Sequence, residues 1–146
     1  MEPLKILPAS ASDSPRLAEL IDAAYAEARR RLPDLPDVSG GIADHIAERV
    51  VLVAWSGASP VGVAIWGLDG PAAHLANIAV HPVAAGQGIG KALIAAVEQG
   101  ARENGATRID LATHVGLPEN VALYAHLGWQ ETGREGNKVY MSKALS

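Results

Sequence analysis

Residues 77–97 read Asn-Ile-Ala-Val-His-Pro-Val-Ala-Ala-Gly-Gln-Gly-Ile-Gly-Lys-Ala-Leu-Ile-Ala-Ala-Val, and the architecture can be predicted outward from them. The β-branched opening predicts a strand, which Pro82 ends because proline brings no N–H to a ladder. Glycines then occupy every second position, at Gly86, Gly88 and Gly90. Apolar residues follow at the i, i+4, i+8 spacing of one helix face. The stretch therefore predicts a strand, a glycine-rich turn and a helix.

A glycine-rich turn in front of a helix is a favourable place for an anion. Glycine lets the backbone bend freely and lets a ligand approach closely, since it carries no Cβ. A helix start exposes about four unpaired N–H groups, and the helix dipole adds roughly half a positive charge there. Phosphate is the ligand that such a site most naturally takes.

Two common phosphate loops do not fit this turn. The nucleotide-triphosphate loop, G-x-x-x-x-G-K-[ST], would place its first glycine on Ala85 and its Ser/Thr on Ala92. The dinucleotide fingerprint, G-x-G-x-x-G, would need its third glycine one residue after Gly90. A glycine-rich turn with no ligand stays open as an alternative.

The remaining pattern, G-x-G-x-G after a strand ending in Val-x-Pro, resembles the acyl-CoA pyrophosphate loop of the GNAT superfamily of N-acetyltransferases. Residues 120–129, Asn-Val-Ala-Leu-Tyr-Ala-His-Leu-Gly-Trp, are similar to that family's fourth helix and the Leu-Gly-Phe/Trp that follows it. The tail from Val139 to Lys143 resembles its closing strand. The matches run from Val50 to Lys143 in the family's order. One departure is Ala85, which stands where the family carries Arg or Gln.

The resemblance implies that acetyl-CoA is the cosubstrate. Its pyrophosphate would be held by the turn, which comprises Ala85, Gly86, Gln87, Gly88, Ile89, Gly90 and Lys91. The backbone of Ile78, Ala79 and Val80 would bind the acetyl carbonyl and the pantetheine. Asn120 would contact the cofactor, and the Tyr124 hydroxyl would point at the CoA sulfur. The alternatives are that Asn120 is a helix N-cap and that Tyr124 is a core aromatic.

The general base is less clearly marked. Family members often carry a Glu on the strand before the turn, and here the comparable residue is His74. Strand alternation predicts that His74 and Ile78 share one face. A histidine side chain, with an ordinary pKa of about 6.5, suits a general base. The alternative is that His74 is a surface or hydrogen-bonded strand histidine without a catalytic role. His114, just past the next strand, is a second candidate.

The resemblance also places the amine acceptor near the first two helices and their loop. That region offers Tyr25, Asp34 and Asp37, and we include His114 among the substrate-binding candidates. Carboxylates beside an aromatic ring suit a cationic amine. The alternative is a solvated turn in which Asp simply fits beside Pro.

Composition limits the other classes of function. The chain has 146 residues, a net charge of −4 and no cysteine. We expect no nucleic-acid partner, no membrane partner and a cytoplasmic protein without a signal peptide. The histidines lack metal-ligand spacing, so we expect no metal. A homodimer is one candidate assembly.

Periodicity predicts the order strand, helix, helix, three strands, helix, strand, helix, two strands. This order predicts an α/β fold with a mixed sheet and helices on both faces. With the resemblance, we expect one GNAT-like domain over residues 1–146 and a twisted, mostly antiparallel sheet.

The expected activity is transfer of an acetyl group from acetyl-CoA to a primary amine of a small molecule. Direct attack in a ternary complex is favoured, since no Cys is present to form a covalent intermediate. Two alternatives stay open. One is a non-catalytic acyl-CoA-binding or sensing module, and the other is acetylation of a protein amine.

Overall fold

The computed structural model describes residues 4–35 and 42–145, apart from the side chains at positions 43, 45 and 48. Within these residues the chain forms seven β-strands and four α-helices. In chain order they are β1 (Leu4–Pro8), α1 (Ser14–Arg31), α2 (Ile42–Glu48), β2 (Val50–Ser56), β3 (Ser59–Asp69), β4 (Ala72–Val80), α3 (Ile89–Glu103), β5 (Arg108–His114), α4 (Pro118–His126), β6 (Gln130–Glu135) and β7 (Lys138–Ala144). The predicted order of elements is confirmed.

All strands of the described part belong to one sheet, in the order β1-β2-β3-β4-β5-β7-β6. The β4–β5 pair is parallel and the other neighbouring pairs are antiparallel. The prediction of a mixed, mostly antiparallel sheet is therefore confirmed. The parallel pair follows from the connection, because α3 carries the chain from the end of β4 back to the start of β5.

Helices cover both faces of the sheet, and each face has its own apolar core. The core on one face is built on α3, whose Leu93, Ile94 and Val97 are buried with strand residues such as Trp66 and Ile109. The core on the other face is built on α1, whose Leu17, Leu20 and Ile21 are buried with Val53 and Val63. None of the helices in the described ranges is long and apolar enough to cross a membrane.

The middle of the sheet opens between β4 and β5. These strands pair only over Ala72–His74 and Arg108–Asp110. Beyond this short ladder β4 continues to Val80 against β3, while β5 continues to His114 against β7. The two facing strand edges therefore separate, and we call the space between them the β4–β5 cleft.

A β-bulge lies on β4 where the cleft begins. Leu75 pairs with Trp66 and Asn77 pairs with Ile65, so Ala76 between them has no partner on β3. A bulge shifts the alternation of a strand by one residue. Leu75 therefore faces the α3 core before the bulge, and Ile78 packs against the same core after it. The prediction that His74 and Ile78 share a face is wrong for this reason.

Candidate functional site

A cavity of about 360 Å³ occupies the β4–β5 cleft. Six segments of the chain line it, and they contribute Tyr25, Asp34, Leu35, Ala76, Asn77, Ala112, Thr113, His114, Leu117, Asn120, Asn137 and Lys138. The structure thus brings together the predicted acceptor residues Tyr25, Asp34 and His114 with the predicted cofactor residue Asn120. Asp37 lies outside the described residues.

The Tyr25 side chain links α1 to β4 just past the bulge. Its hydroxyl lies 2.7 Å from Asn77 Oδ1 and 3.1 Å from the Ile78 carbonyl oxygen. Burial raises the pKa of Tyr25 to about 12, so this hydroxyl keeps its proton at neutral pH. The other polar atom of Asn77, Nδ2, is buried and has no hydrogen-bond partner among the described residues. Asn77 was not predicted as a site residue, although it is a lone amide in the apolar second half of β4.

His114 is held at both of its ring nitrogens. The Gly116 N–H donates to Nδ1 at 2.8 Å, and Nε2 lies 3.0 Å from Asp34 Oδ1. Because Nδ1 accepts a hydrogen bond, Nε2 carries the proton of the neutral ring and donates it to Asp34. His114 consequently has no free lone pair to offer as a general base in this arrangement.

Asp34 joins three segments around the mouth of the cavity. Its Oδ1 accepts from His114 at the end of β5, and its Oδ2 accepts from Asn137 Nδ2 at 2.7 Å in the β6–β7 turn. These contacts hold the Asp34 pKa below its ordinary value, chiefly through the Asn137 hydrogen bond. The Asp34 side chain is 55% exposed, so it lies in a solvated turn as the alternative expected, but its carboxylate is held by two hydrogen bonds. Asn137 was missed, although the Gly136-Asn137 pair marked a turn.

The glycine turn lies at the far end of β4, as predicted. Gly86 and Gly88 have φ of +79° and +78°, which glycine adopts without a steric penalty. Apart from the two flanking residues, no atom of the described residues lies within 4 Å of where a Cβ on either glycine would be. The first helical hydrogen bond runs from Ala92 N to Gly88 O at 3.0 Å. The amides of Ile89, Gly90 and Lys91 therefore precede the helical ladder and lack a helix carbonyl.

Asn120 and Tyr124 lie on successive turns of α4. The N-cap residue is Leu117, so the alternative that Asn120 is the N-cap is wrong. Asn120 Nδ2 lies 3.4 Å from Thr113 Oγ1 at the cavity wall. The Tyr124 ring is 5% exposed and packs on Trp129, with ring centroids 5.5 Å apart.

The Tyr124 ring is thus a core aromatic, as the alternative reading expected. Burial raises the pKa of its phenol well above the ordinary value, and Tyr25 adds to the shift. Its hydroxyl makes no hydrogen bond within residues 4–35 and 42–145.

His74 lies apart from the cavity. It lines a second depression of about 530 Å³ with residues of β5, β6 and β7, which include Asp110, Tyr140 and Ser142. The structure does not bring His74 to the side chains that line the cleft. Of the described residues, no three of the types His, Cys, Asp and Glu are grouped so that they could hold a metal ion.

Solved structures share this fold at low sequence identity. The PaiA N-acetyltransferase from Thermoplasma acidophilum, solved in complex with coenzyme A, superposes with a TM-score of 0.89 at 16% identity, over 97% of this chain and 99% of that one. The ribosomal-protein-S18-alanine N-acetyltransferase from Escherichia coli has a TM-score of 0.82 at 20% identity, over 99% of this chain and 95% of that one. The IAA acetyltransferase from Bacillus cereus has a TM-score of 0.75 at 20% identity, over 98% of this chain and 100% of that one.

No curated protein matched the chain in sequence. The family model of the acetyltransferase (GNAT) family matches residues 15–129. That range contains the glycine turn, the β4–β5 cleft and α4. The resemblance drawn from the two motifs is confirmed, and the chain belongs to the GNAT acetyltransferase family.

Proposed function

We propose that this protein transfers the acetyl group of acetyl-CoA to a primary amine of a small molecule, by direct attack in a ternary complex. The observation that carries the proposal is the cleft, whose β4 edge leads directly into the glycine turn. Membership of the family supports acyl transfer. The coenzyme A complex of the structurally similar Thermoplasma enzyme supports the choice of cosubstrate.

The residues present fit acetyl-CoA. The open space beside Gly86 and Gly88 leaves room for a pyrophosphate against the amides of the turn. Past His74, the β5-facing edge of β4 has no strand partner in the described part of the chain, so its backbone can pair with the amides of an extended pantetheine. Ala85 contributes backbone alone, because its methyl group cannot bond to a phosphate.

Three groups of this chain would act on the reaction. The backbone N–H groups of Ile78 and Val80, which alternation along β4 turns to the cleft edge while that of Ala79 faces β3, would polarise the acetyl carbonyl and hold the oxyanion. The Tyr124 hydroxyl would donate its proton to the leaving thiolate, and its raised pKa keeps that proton in place at neutral pH. Asn120 would form the wall of the cofactor site beside Tyr124. The thioester supplies the activated acetyl group.

The proton that the amine loses would pass to water in this proposal. Both nitrogens of His114 already hold hydrogen bonds. His74 lines a different depression. Asp34 also lines the cavity, but each of its carboxylate oxygens already accepts a hydrogen bond. We therefore propose water rather than one of these three side chains as the base.

The acceptor would enter on the side of Tyr25, Asp34 and Asn137. A volume of about 360 Å³ is in the range of sites for small molecules. Asp34 and Lys138 are the acidic and basic side chains on the described walls of the cavity, and their opposite charges cancel. A strong preference for a multiply charged amine is therefore not expected.

The test is release of free CoA from acetyl-CoA in the presence of a panel of primary amines and short peptides. A thiol reagent suits this assay, because the chain has no cysteine to give a background signal. We expect amine-dependent release with at least one small amine. Release with peptides alone would favour acetylation of a protein amine. Calorimetric binding of acetyl-CoA without release would favour the non-catalytic module, and absence of binding would reject the proposal.

A further inference from the structure

The Ile78 carbonyl is bound by a side chain at a point where a neighbouring strand would otherwise lie. The His81 N–H donates to Val61 O on β3, so alternation along β4 turns the N–H and C=O of Ile78 the other way, toward the cleft. At this point β5 has already separated from β4. The Tyr25 hydroxyl, which comes from α1, lies 3.1 Å from Ile78 O. Tyr25 therefore takes up the hydrogen-bond acceptor at this position of the open strand edge.

Counting protons assigns the Tyr25 proton to the Ile78 carbonyl. The hydroxyl has one proton and two oxygens near it, Asn77 Oδ1 at 2.7 Å and Ile78 O at 3.1 Å. A half-turn of the Asn77 carboxamide exchanges its oxygen and nitrogen. Nδ2, which otherwise has no partner among the described residues, then donates to the hydroxyl oxygen, and the hydroxyl donates to Ile78 O. This arrangement leaves a buried acceptor unpaired instead of a buried donor, which is the less unusual case in proteins.

The bond to Ile78 limits how an extended ligand can pair with the edge of β4. Such a ligand bonds to every second residue of a strand, and on the cleft side these are Ile78 and Val80. The Tyr25 hydroxyl stands in front of Ile78 O, whereas Val80 O has no strand partner on that side in the described ranges. A pantetheine chain that comes from the glycine turn can therefore donate an amide N–H to Val80 O but not to Ile78 O.

We propose that Tyr25 is a positioning residue for acetyl transfer, whose hydroxyl occupies Ile78 O and thereby sets the register of acetyl-CoA along the β4 edge. The inference rests on the proposed function and adds the residue that decides where the thioester stops. In this register the Ile78 N–H meets the acetyl oxygen. Without the hydroxyl, pantetheine gains a second carbonyl to donate to, and the chain can slip by one pairing step, about 7 Å. A misplacement of about 1 Å can already cost about 100-fold in rate.

The position of Tyr124 agrees with this register. Tyr25 contributes to the raised pKa of the Tyr124 phenol, and such an electrostatic effect weakens with distance. The two phenols therefore lie near each other, although they come from α1 and α4. A thioester that stops beside Ile78 would have its sulfur near the hydroxyl that is proposed to protonate it.

The kinetic test is Tyr25→Phe, which keeps the ring and removes the hydroxyl. We expect kcat/KM for the amine to fall about 10- to 100-fold. The affinity for acetyl-CoA should equal or exceed that of wild type, because the freed Ile78 O offers pantetheine another contact. Tyr140→Phe is the matched control, since Tyr140 lies at the second depression, and it should keep the wild-type kcat/KM.

Two results of this test would overturn the inference. A wild-type kcat/KM in Tyr25→Phe would do so and leave acetyl transfer itself standing. A joint fall of the melting temperature and of the acetyl-CoA affinity would show instead that the hydroxyl has a purely structural role. The proposed role predicts a melting temperature that falls by about 5 °C or less, since one hydrogen bond is lost and water in the cleft can replace it.

A second readout does not depend on turnover. The ligand is a ketone analogue of acetyl-CoA in which CH2 replaces the sulfur, with 13C at the carbonyl. A hydrogen bond to this carbonyl moves its 13C signal downfield, so we expect a downfield signal in wild type and a signal nearer that of the free ligand in Tyr25→Phe. No amine is present, so a direct contact between Tyr25 and the acceptor cannot produce the difference.

The outcomes of the 13C measurement separate the inference from the proposed function. Equal carbonyl signals in the two saturated proteins would overturn the positioning role of Tyr25. The expected difference, in a wild-type protein that releases no CoA with any amine, would instead overturn the proposed transfer and support the register set by Tyr25.

Discussion

Asp34 Oδ1 lies 3.0 Å from Nε2 of His114, a residue 80 positions further along the chain. The contact fastens the segment after α1 to the end of β5, and Asn137 fastens it to the β6–β7 turn as well. One carboxylate thereby joins three segments at the mouth of the cavity. Asp34 thus braces the cavity mouth, while its expected part in binding a cationic amine stays a prediction.

The first prediction concerns the pH dependence of this brace. The folded pKa of Asp34 lies below its ordinary value of 3.8, so the hydrogen bonds that its ionised carboxylate accepts stabilise the fold at neutral pH. This stability is present above the unfolded pKa and is lost as pH falls through the lower folded pKa. Wild type should therefore melt at a higher temperature than Asp34→Asn at pH 7, and the gap should narrow below about pH 4. Melting curves across this range test it, and a gap that stays constant would contradict it.

The second prediction is that His114 is not the general base. His114→Gln should lower kcat by less than about 10-fold, because both ring nitrogens already serve structural hydrogen bonds. Loss of a general base typically costs about 10²- to 10⁴-fold. The pH profile of kcat/KM should keep its shape in the variant. Disappearance of an ionisation from that profile would assign the base to His114 after all.

The third prediction separates ligand contact from backbone strain in the glycine turn. Gly88 and Gly105 have φ of +78° and +84°, and in the described part of the chain only their flanking residues have atoms within 4 Å of a Cβ position. Valine at either residue should cost about 1–2 kcal/mol of stability, measured by urea unfolding. Only Gly88→Val should also weaken acetyl-CoA binding, by at least about 10-fold, since its side chain would meet the pyrophosphate. Equal affinities of the two variants in calorimetry would remove the turn from the cofactor site.

The fourth prediction concerns the Tyr124 hydroxyl. Tyr124→Phe keeps the ring that packs on Trp129, so the fold should survive. We expect kcat to fall about 10²- to 10⁴-fold with little change in acetyl-CoA affinity. Tyr140→Phe, on the sheet surface at the second depression, is the matched control and should retain activity. A wild-type kcat for Tyr124→Phe, under conditions where chemistry limits the rate, would leave Tyr124 a packing role only.

The fifth prediction concerns a buried ion pair between α3 and β7. Glu98 is 5% exposed, and its Oε1 lies 2.8 Å from Lys143 Nζ. Lys143→Met should cost about 3 kcal/mol of unfolding free energy, because it leaves a buried carboxylate with only Arg102 at 3.6 Å.

Two further variants check that this cost comes from burial. Glu98→Leu combined with Lys143→Met should recover most of the loss, since no buried carboxylate remains and Arg102, which loses its partner, has a side chain that is 35% exposed. Arg134→Met breaks an exposed pair with Glu131 and should cost under about 1 kcal/mol. Similar costs for Lys143→Met and Arg134→Met would contradict the argument.

The parts of the fold that could be predicted from the sequence are those marked by residues close together in the chain. The glycine turn and α3 were readable from a single stretch, because turn chemistry and helix periodicity act between near neighbours. The bulge at Ala76 was not readable, since no glycine or proline marks it and the register of β3 determines it. This one residue accounts for the misplaced His74.

The candidate site divides in the same way. Residues of the turn and of α4 came from contiguous motifs. The brace of Asp34 with His114 and Asn137 joins residues 80 and 103 positions apart, and only the assembled sheet brings them together. The same holds for Tyr25 and Asn77, which meet across 52 positions. Sequence suggested most of these residues one at a time but could not show which would be neighbours.

The short ladder between β4 and β5 also divides the sheet into two blocks of strands, β1–β4 and β5–β7. Three residue pairs join β1–β4 to β5–β7, so separating the two blocks breaks few backbone hydrogen bonds. Amide hydrogens of the two blocks should then exchange with solvent as two cooperative units of different stability. A ligand that bonds to both strand edges would couple these units into one. We therefore expect a ligand in the cleft to slow the exchange of amide hydrogens even in strands that the ligand does not contact.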